Sequence, residues 1–242
     1  MNIEGYTIPH DDKQYIGGED GYFFTENNNK VYACVFDGVG YWRKKNIEVK
    51  DFVNQLTYFS IKSIENGHQT PEIILEDALN HVSKVGSTTA IFVIIDNQHN
   101  ALIYQIGDAG LLALKGEQVI LQTDPQQHQF NLPYQFGKNQ DGSFHGDSPN
   151  EGLFYRMKLE DGYKLILGSD GLFDNLKINE IIKTVSESEG DIAEALCQKA
   201  YQKSKQTTEP VPFYQEAYRE KLTDSLVVGG KQDDITCIVV EV

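Results

Sequence analysis

Short apolar stretches rich in Val, Ile, Tyr and Phe recur along the chain and predict a protein with many β-strands. Some of these stretches alternate apolar and polar residues and others are apolar throughout, and both patterns are typical of strands. The predicted strands cover residues 20–24, 31–36, 89–95, 101–106, 111–114, 118–121, 153–158, 163–168 and 235–241.

Between the predicted strands, apolar residues recur at helical spacing. In residues 47–65 they fall largely on one face, which predicts an amphipathic helix. Thr70 and Pro71 have the residue types of an N-cap and a first helical position, so they predict a helix that extends to about Val85. Further helices are predicted at 176–187, at 191–205 with Asp191 as the N-cap, and at 213–222.

The order of these elements indicates the fold class. Strands come first, then a helix pair, more strands, more helices and a closing strand, which favours an α+β layered domain over strict strand–helix alternation. No segment rich in Pro, Gly or Ser divides the chain, and a length of 242 residues fits one domain. We therefore expect residues 1–242 to form a single domain.

One connection, residues 122–151, is unusually long and polar; we call it the flap segment. Connections longer than about 12–15 residues are usually either functional or disordered. The flap segment contains Phe130, Leu132, Tyr134 and Phe136. These apolar side chains favour a segment packed on the domain over a disordered loop.

The chain is acidic, with 36 Asp and Glu residues against 21 Lys and Arg residues and a formal net charge of −15. Because nucleic-acid binding depends on Lys and Arg at phosphates, this charge argues against a DNA- or RNA-binding protein. The apolar runs are far shorter than the roughly 20 residues that cross a bilayer, so we expect no membrane span. The first residues carry no apolar targeting segment, which favours an intracellular, cytoplasmic protein.

Acidic residues stand at the ends of several predicted strands. They are Glu19 with Asp20, Asp37, Asp108, Asp170, and Asp233 with Asp234. Several of these sites are Asp-Gly dipeptides, which also occur in ordinary turns. If the strand ends meet, two carboxylates 4 Å apart repel by about 4 kcal/mol at an effective dielectric of 20. Mg²⁺ or Mn²⁺ would relieve this repulsion, and two such ions can activate water against a phosphate ester, so the residues indicate metal-assisted hydrolysis.

Five motifs give a more specific indication: VFDGVG at 35–40, GSTTAIFVI at 86–94, IYQIGDAGLLAL at 103–114, LGSDGLFDNL at 167–176 and GGKQDDITCIVV at 229–240. Their order resembles that of the PPM-type (type 2C) metal-dependent protein Ser/Thr phosphatases, and the resemblance spans residues 18–242. GED at 18–20 and residues 124–137 resemble the PTC7-type branch of this family. The resemblance implies a four-layer α-β-β-α sandwich, a central antiparallel β-sandwich flanked by helix pairs.

The resemblance also implies a role for each residue at the first metal ions. Asp37 resembles the carboxylate that bridges two ions, Mn²⁺ or Mg²⁺, which hold the nucleophilic water. The carbonyl of Gly38 would bind the second ion. Asp170 and Asp233 resemble the remaining ligands of the first ion.

Further acidic residues have implied roles around this pair of ions. Glu19, with Asp20 beside it, resembles the acidic group that holds the second ion, partly through water. Asp108 together with Asp170 resembles a weaker third metal site. Asp234 stands where the family has Asn or Asp, and we expect it to orient the turn rather than to bind metal.

Three positions depart from the family pattern. Val39 stands where many members have a His that is proposed to protonate the leaving alkoxide; the general acid is therefore unassigned, with His10 and His68 as candidates. Tyr41 replaces the Gly that is usual in the branch, and Tyr15 replaces a phosphate-binding Arg, so the phosphate-binding residue is also unassigned. Cations that could replace that Arg are Lys13, Arg43 and Lys44.

The sequence leaves functions of different classes open. The complete ligand set favours a working protein serine/threonine phosphatase with a phosphoprotein substrate. Tyr41, Val39 and the missing Arg favour instead a catalytically weak pseudophosphatase that acts as a binding or regulatory module. A small-molecule phosphatase and a structural Ca²⁺ site are further alternatives.

The remaining expectations concern partners and compartment. We expect a monomer that docks its substrate on the flap segment or on helix faces. Because the best-known PTC7-type members are organellar, the resemblance adds mitochondria or another organelle as an alternative to the cytoplasm.

Overall fold

The computed structural model describes all residues, 1–242. The fourteen strands are β1 (Asn2–Ile8), β2 (Gly21–Asn27), β3 (Lys30–Gly38), β4 (Gly86–Ile95), β5 (Asn100–Ile106), β6 (Gly110–Lys115), β7 (Gln118–Gln122), β8 (Gln127–Gln129), β9 (Leu132–Pro133), β10 (Phe136–Lys138), β11 (Phe144–Gly146), β12 (Leu153–Lys158), β13 (Tyr163–Gly168) and β14 (Ile235–Glu241). The α-helices are α1 (Val49–Glu65), α2 (Pro71–His81), α3 (Asp170–Phe173), α4 (Ile178–Glu187), α5 (Ile192–Lys205) and α6 (Pro212–Arg219). Short 3₁₀ helices span Asp11–Ile16, Gly40–Lys45 and Pro149–Glu151.

The strands form two antiparallel sheets and one small hairpin. The first sheet has the order β1-β14-β13-β6-β7. In the second sheet β2, β3 and β4 are neighbours; β5 and β12 continue from one half of β4, and β10 and β11 from the other half. The hairpin consists of β8 and β9.

The two sheets pack face to face, with helices on both outer faces. One apolar layer lies between α1, α2 and the second sheet, and includes Phe52 and Phe92. A second lies between the sheets and includes Val35 and Leu167. A third lies between the first sheet and α4 and α5, and includes Leu196. These layers confirm the α+β class and the α-β-β-α sandwich.

The predicted strands lie within observed strands, apart from Asp20 just before β2, and the structure adds β1 and, in the flap segment, β8 to β11. The sequence does not mark β1 because a glycine, Gly5, lies in its middle and weakens the strand pattern. The structure explains this glycine: a Cβ there would lie 2.6 Å from the ring of Tyr22.

The predicted helices are also present, but two of them end earlier than predicted, and α6 ends at Arg219 rather than at residue 222. The helix that begins at Pro71 ends at His81 rather than near Val85, because Val82 is already extended. Asp191 caps α5 as predicted, with its side chain accepting a hydrogen bond from the backbone N–H of Glu194. None of the helices combines the length and the apolar character needed to cross a membrane.

The flap segment is packed on the domain, as its aromatic residues predict. Strand β10 pairs with β4, which joins the flap segment to the second sheet. Phe136 is fully buried, whereas Leu132 and Phe144 are exposed. Hydrogen bonds also attach the flap segment to the domain: the indole N–H of Trp42 donates to Ser87 Oγ (2.7 Å), and Ser87 Oγ donates to Oε1 of Gln135 (2.6 Å).

Candidate active site

The acidic residues meet because both sheets bring strand ends to the same edge of the sandwich. In the second sheet, β3 ends at Asp37 and Gly38, and Glu19 and Asp20 directly precede its antiparallel neighbour β2. The end of one strand and the start of its antiparallel partner lie at one edge. The first sheet repeats this arrangement, with Asp170 after β13 and Asp233 before the neighbouring β14.

Hydrogen bonds join the two sheets at this edge. The backbone N–H of Asp170 donates to Asp37 Oδ2 (3.1 Å), and that of Glu19 donates to Asp234 Oδ2 (2.9 Å). Gly38 has to be a glycine here, since a Cβ would lie 2.4 Å from the carbonyl oxygen of Glu19. Close packing, in addition to turn geometry, therefore explains why a glycine follows Asp37.

Asp108 reaches the same edge from the connection that links the two sheets, between β5 and β6. The turn requires Gly107, whose φ is +92° and whose Cβ would lie 2.5 Å from atoms of Thr89 and Tyr134. Burial raises the pKa of Asp108, and the nearby charge of Asp170 raises it further. Asp108 and Asp170 both line one cleft.

Asp174 is an acidic member of the cluster that the sequence analysis missed. It follows α3, one helical turn after Asp170, and its backbone N–H donates to the carbonyl of Asp170 (2.7 Å). Side chains four residues apart on a helix lie on the same face. The four-residue spacing of the two acids in the DGLFD motif could have revealed it.

Two lysine ammonium groups lie between the carboxylates. Lys13 Nζ is 2.7 Å from Glu19 Oε2 and 2.8 Å from Asp234 Oδ2. Lys231 Nζ is 2.5 Å from both Asp170 Oδ2 and Asp174 Oδ2. Of the cations that the sequence offered as replacements for the missing Arg, Lys13 is therefore buried in ion pairs.

The positive charge within the cluster does not balance the negative charge. Eight carboxylates face two ion-paired ammonium groups and a third, that of Lys50, at the backbone carbonyl of Asp20; the acids are Glu19, Asp20, Asp37, Asp108, Asp170, Asp174, Asp233 and Asp234. Partial burial raises the pKa of Asp37 well above its usual range, and the charges of Asp170 and Asp20 raise it further. Oε1 of Glu19 and Oδ2 of Asp20 are buried without a hydrogen-bond partner. The cluster is therefore short of cations.

The donor atoms fit hard divalent cations. All of the side-chain donors are carboxylate oxygens, without His or Cys, and such sites suit Mg²⁺ or Mn²⁺. No three of these carboxylates close around one point ready for an ion, and the ammonium groups of Lys13 and Lys231 occupy space between them. Asp37, Asp170 and Asp233 are each partly open to solvent, so ions and water can reach them.

Asp234 differs from the other acids because both of its carboxylate oxygens already accept hydrogen bonds. Oδ1 accepts the backbone N–H of His10 (2.7 Å), and Oδ2 accepts the N–H of Glu19 and the ammonium of Lys13. These bonds support an orienting role for Asp234. Thr88 has a similar supporting place, with Oγ1 2.8 Å from the carbonyl oxygen of Asp37.

The two tyrosines that depart from the family pattern have exposed side chains, and the two histidines considered as general acids make their side-chain contacts outside the acidic cluster. Tyr41 is 55% exposed and Tyr15 is 71% exposed, and the hydroxyl of Tyr15 donates to Glu48. His68 lies between α1 and α2, where it contacts Ser63 and Asp77 rather than an acid of the cluster. His10 accepts a hydrogen bond on Nδ1 from a backbone N–H in the first 3₁₀ helix.

An open cleft of about 900 Å³ extends from the carboxylate cluster. Asp170 and Asp174 are part of its lining, together with residues of the flap segment and of α6. Phe130 of the flap segment and Phe213 of α6 face each other with ring centroids 5.1 Å apart. The cleft thus joins the acidic cluster to an aromatic wall.

The carboxylate cluster predicts an unusual pH dependence of stability in the metal-free protein. Burial raises the pKa of Asp174 to about 7, although Lys231 opposes this, and the pKa values of Asp37 and Asp233 are raised as well. Folding then binds protons, so the free energy of unfolding falls as pH rises from about 4 to 7 and beyond. We expect the EDTA-treated protein to be less stable at pH 8 than at pH 6, by on the order of 1 kcal/mol.

Urea unfolding at both pH values, with and without Mn²⁺, measures this effect. Burial lowers the pKa of His145, so this residue makes the free energy of unfolding rise with pH. Its contribution is the same with and without Mn²⁺. The difference between the series therefore isolates the carboxylates. A metal-free protein that gains stability between pH 6 and pH 8 as much as the Mn²⁺ series would contradict the prediction.

Comparison with curated proteins decides the family. "Probable protein phosphatase 2C 1" of Oryza sativa subsp. japonica is 33% identical over 255 residues, an alignment that covers 100% of this chain and 75% of the rice protein. The chain belongs to the protein phosphatase 2C family. "Protein phosphatase PTC7 homolog" of Danio rerio is 29% identical and covers 92% of this chain and 80% of its own length, which agrees with the PTC7-type resemblance. No family model matches the sequence.

Solved structures agree with this assignment. The X-ray structure of the photosystem II phosphatase PBCP matches with a TM-score of 0.92 at 31% identity, over 100% of this chain and 98% of that chain. The PPM Ser-Thr phosphatase MsPP from Mycobacterium smegmatis, at 16% identity and a TM-score of 0.65, shares the fold. The chain is thus a metal-dependent protein serine/threonine phosphatase of the 2C family.

Proposed function

We propose that this phosphatase hydrolyses phospho-Ser and phospho-Thr with a water held between two Mn²⁺ or Mg²⁺ ions. The observation that carries this proposal is the excess of carboxylates at the shared edge of the two sheets. In this assignment Asp37 would bind both ions, and Asp170 and Asp233 would hold the first. Ligands of the second ion are the carbonyl of Gly38, Glu19 and Asp20, the last two partly through water.

When bound, the ions supply a water of lowered pKa and neutralise charge on the phosphoryl oxygens. The protein supplies the positions of the ligands. The backbone N–H of Asp170 fixes Asp37 from the other sheet, and the side chain of Asp234 fixes the chain at Glu19. These bonds keep the carboxylates oriented before substrate arrives, which lowers the reorganisation needed in the transition state.

None of the three cysteine thiols is suited to act as the nucleophile, which supports direct attack by water. Cys34, Cys197 and Cys237 are all buried. Burial raises the pKa of Cys34 and of Cys237 well above the usual range, so neither is a thiolate at neutral pH. A reactive cysteine nucleophile needs the opposite, a lowered pKa and access to substrate.

Release of phosphate from a phosphothreonine peptide tests the proposal. We expect turnover with Mn²⁺ or Mg²⁺, none with EDTA, and loss of turnover in the Asp233→Asn variant. Asp161→Asn is the matched control, because Asp161 is an exposed loop residue. Turnover in EDTA, or an Asp233→Asn variant as active as wild type, would count against the two-ion assignment.

The cleft supports a protein substrate over a small phosphate ester. Its lining includes several side-chain amides, which can both donate to and accept from an extended peptide backbone: Gln127, Gln129, Asn131, Asn179 and Gln215. The aromatic pair of Phe130 and Phe213 adds an apolar contact in the same cleft. A small ester would fill only the end of the cleft at the acids.

We therefore expect Phe130→Ala to discriminate between substrates. Loss of one aromatic contact of about 1.4 kcal/mol raises KM for a phosphopeptide roughly tenfold. KM for p-nitrophenyl phosphate should stay unchanged, as should both values in Phe144→Ala, an exposed flap-segment residue outside the cleft lining. Steady-state kinetics with both substrates measures this. Equal changes for the two substrates would refute a docking role for Phe130.

A further inference from the structure

Lys231 is anchored by its backbone more firmly than a surface lysine would be. The buried side-chain amide of Asn175 accepts the backbone N–H of Lys231 (3.0 Å) and donates to its carbonyl oxygen (2.8 Å). The preceding Gly230 lies so close to α5 that a Cβ would be 2.1 Å from the carbonyl oxygen of Lys203. The start of the Lys231 side chain is therefore fixed beside the acidic cluster.

The ammonium group is enclosed by carboxylates and an aromatic ring. It lies 2.5 Å from Asp170 and from Asp174, and 3.5 Å from Asp233. The ring of Phe213 covers it at 4.7 Å from the ring centroid. The side chain is only 15% exposed, so little water can reach the ammonium group.

Lys231 carries its charge in this position. Three carboxylates lie within 3.5 Å of the ammonium group, and opposite charges this close favour the charged form. The ammonium group is thus a positive charge held against Asp170, Asp174 and Asp233.

Asp108, Asp170 and Asp174 line one cleft, and the family resemblance implies a third, weaker metal site for Asp108 and Asp170. We propose that the Lys231 ammonium is the resident cation of this third site, so that the chain binds two exchangeable divalent ions rather than three. This inference rests on the two-ion function proposed above. It assigns a positioning role to Lys231, which orders Asp170 and Asp174 without touching the substrate.

The tether gives Lys231 an advantage over a free ion. A group attached through a short linker has an effective concentration in the millimolar range or above, and a fixed backbone raises it further. A weak third ion must instead be taken from solution and partly dehydrated, which Mg²⁺ resists. The ammonium has one positive charge where a divalent ion has two, but the ring of Phe213 above it adds cation–π attraction.

Anomalous scattering from crystals soaked in Mn²⁺ tests the proposal by showing each ion directly. We expect two Mn²⁺ peaks per chain in wild type and a third peak, among Asp108, Asp170 and Asp174, in Lys231→Met. Lys231→Arg keeps the positive charge and should again show two peaks. Equilibrium dialysis against Mn²⁺ should give the same numbers of bound ions in solution.

A third peak at these acids in wild type would overturn the proposal, as would only two peaks in a folded Lys231→Met. If Lys231→Met does not fold, Asp174→Asn decides the question. With a resident lysine, wild type and Asp174→Asn both bind two ions; loss of an ion on this substitution would show that Asp174 holds metal instead. Fewer than two ions in wild type would contradict the two-ion function itself, and the Lys231 proposal with it.

Discussion

Asp37→Asn is expected to lose more than about a thousandfold in kcat/KM on a phosphothreonine peptide, which corresponds to about 4 kcal/mol of transition-state stabilisation. Asn has the shape of Asp and keeps an oxygen that can accept the N–H of Asp170. What it loses is the negative charge between the two proposed ions. The loss should appear in kcat at saturating Mn²⁺, because the substrate cleft is unchanged.

The same variant contains its own test of folding. Burial and neighbouring acids raise the pKa of Asp37, so its charged form is unfavourable in the metal-free protein. Removing that charge should leave the urea midpoint in EDTA unchanged or higher. Activity within tenfold of wild type in a folded Asp37→Asn protein would contradict the bridging role.

Gly171→Ala is expected to lower the free energy of unfolding by about 3 kcal/mol and to abolish phosphatase activity. A Cβ on Gly171 would lie 2.0 Å from the backbone carbonyl oxygen of Asp234. Neither backbone can retreat freely, because Asn175 ties the carbonyl of Gly171 to that of Lys231. The methyl group would therefore push the DGLFD turn away from the start of β14.

Urea unfolding and phosphopeptide turnover measure the two effects of Gly171→Ala. The matched control is Gly190→Ala, since a Cβ at Gly190 meets nothing within 4 Å. The control should stay within about 0.5 kcal/mol of wild type and remain active. If both variants behave alike, the close approach at Gly171 does not hold the site together.

The sequence could predict the sandwich and most of the acidic cluster for a simple reason. Strands are marked by local apolar patterns, and the acids stand directly at their ends, so local rules place both. The end of β3 at Asp37 and the end of β13 before Asp170 are of this kind. Strand β1 was missed because Gly5 is selected by its distant neighbour Tyr22, which no local pattern reveals.

The lysines of the cluster could not be predicted from the sequence, because solvated lysine is the default expectation at any single position. Lys13 is buried because its ammonium group pairs with Glu19 and with Asp234, and Asp234 is far away in the sequence. Lys231 depends on Asn175 and on α3, more than fifty residues earlier. Their roles follow only from contacts that the two sheets bring together.

The central claim is that two divalent ions act together, and one titration tests it most directly. EDTA-stripped protein is titrated with Mn²⁺, and bound Mn²⁺ per chain and phosphopeptide turnover are measured in the same samples. The account predicts little turnover at one bound ion and full turnover once the second ion is bound. Full turnover at one bound ion, or in EDTA, would contradict it.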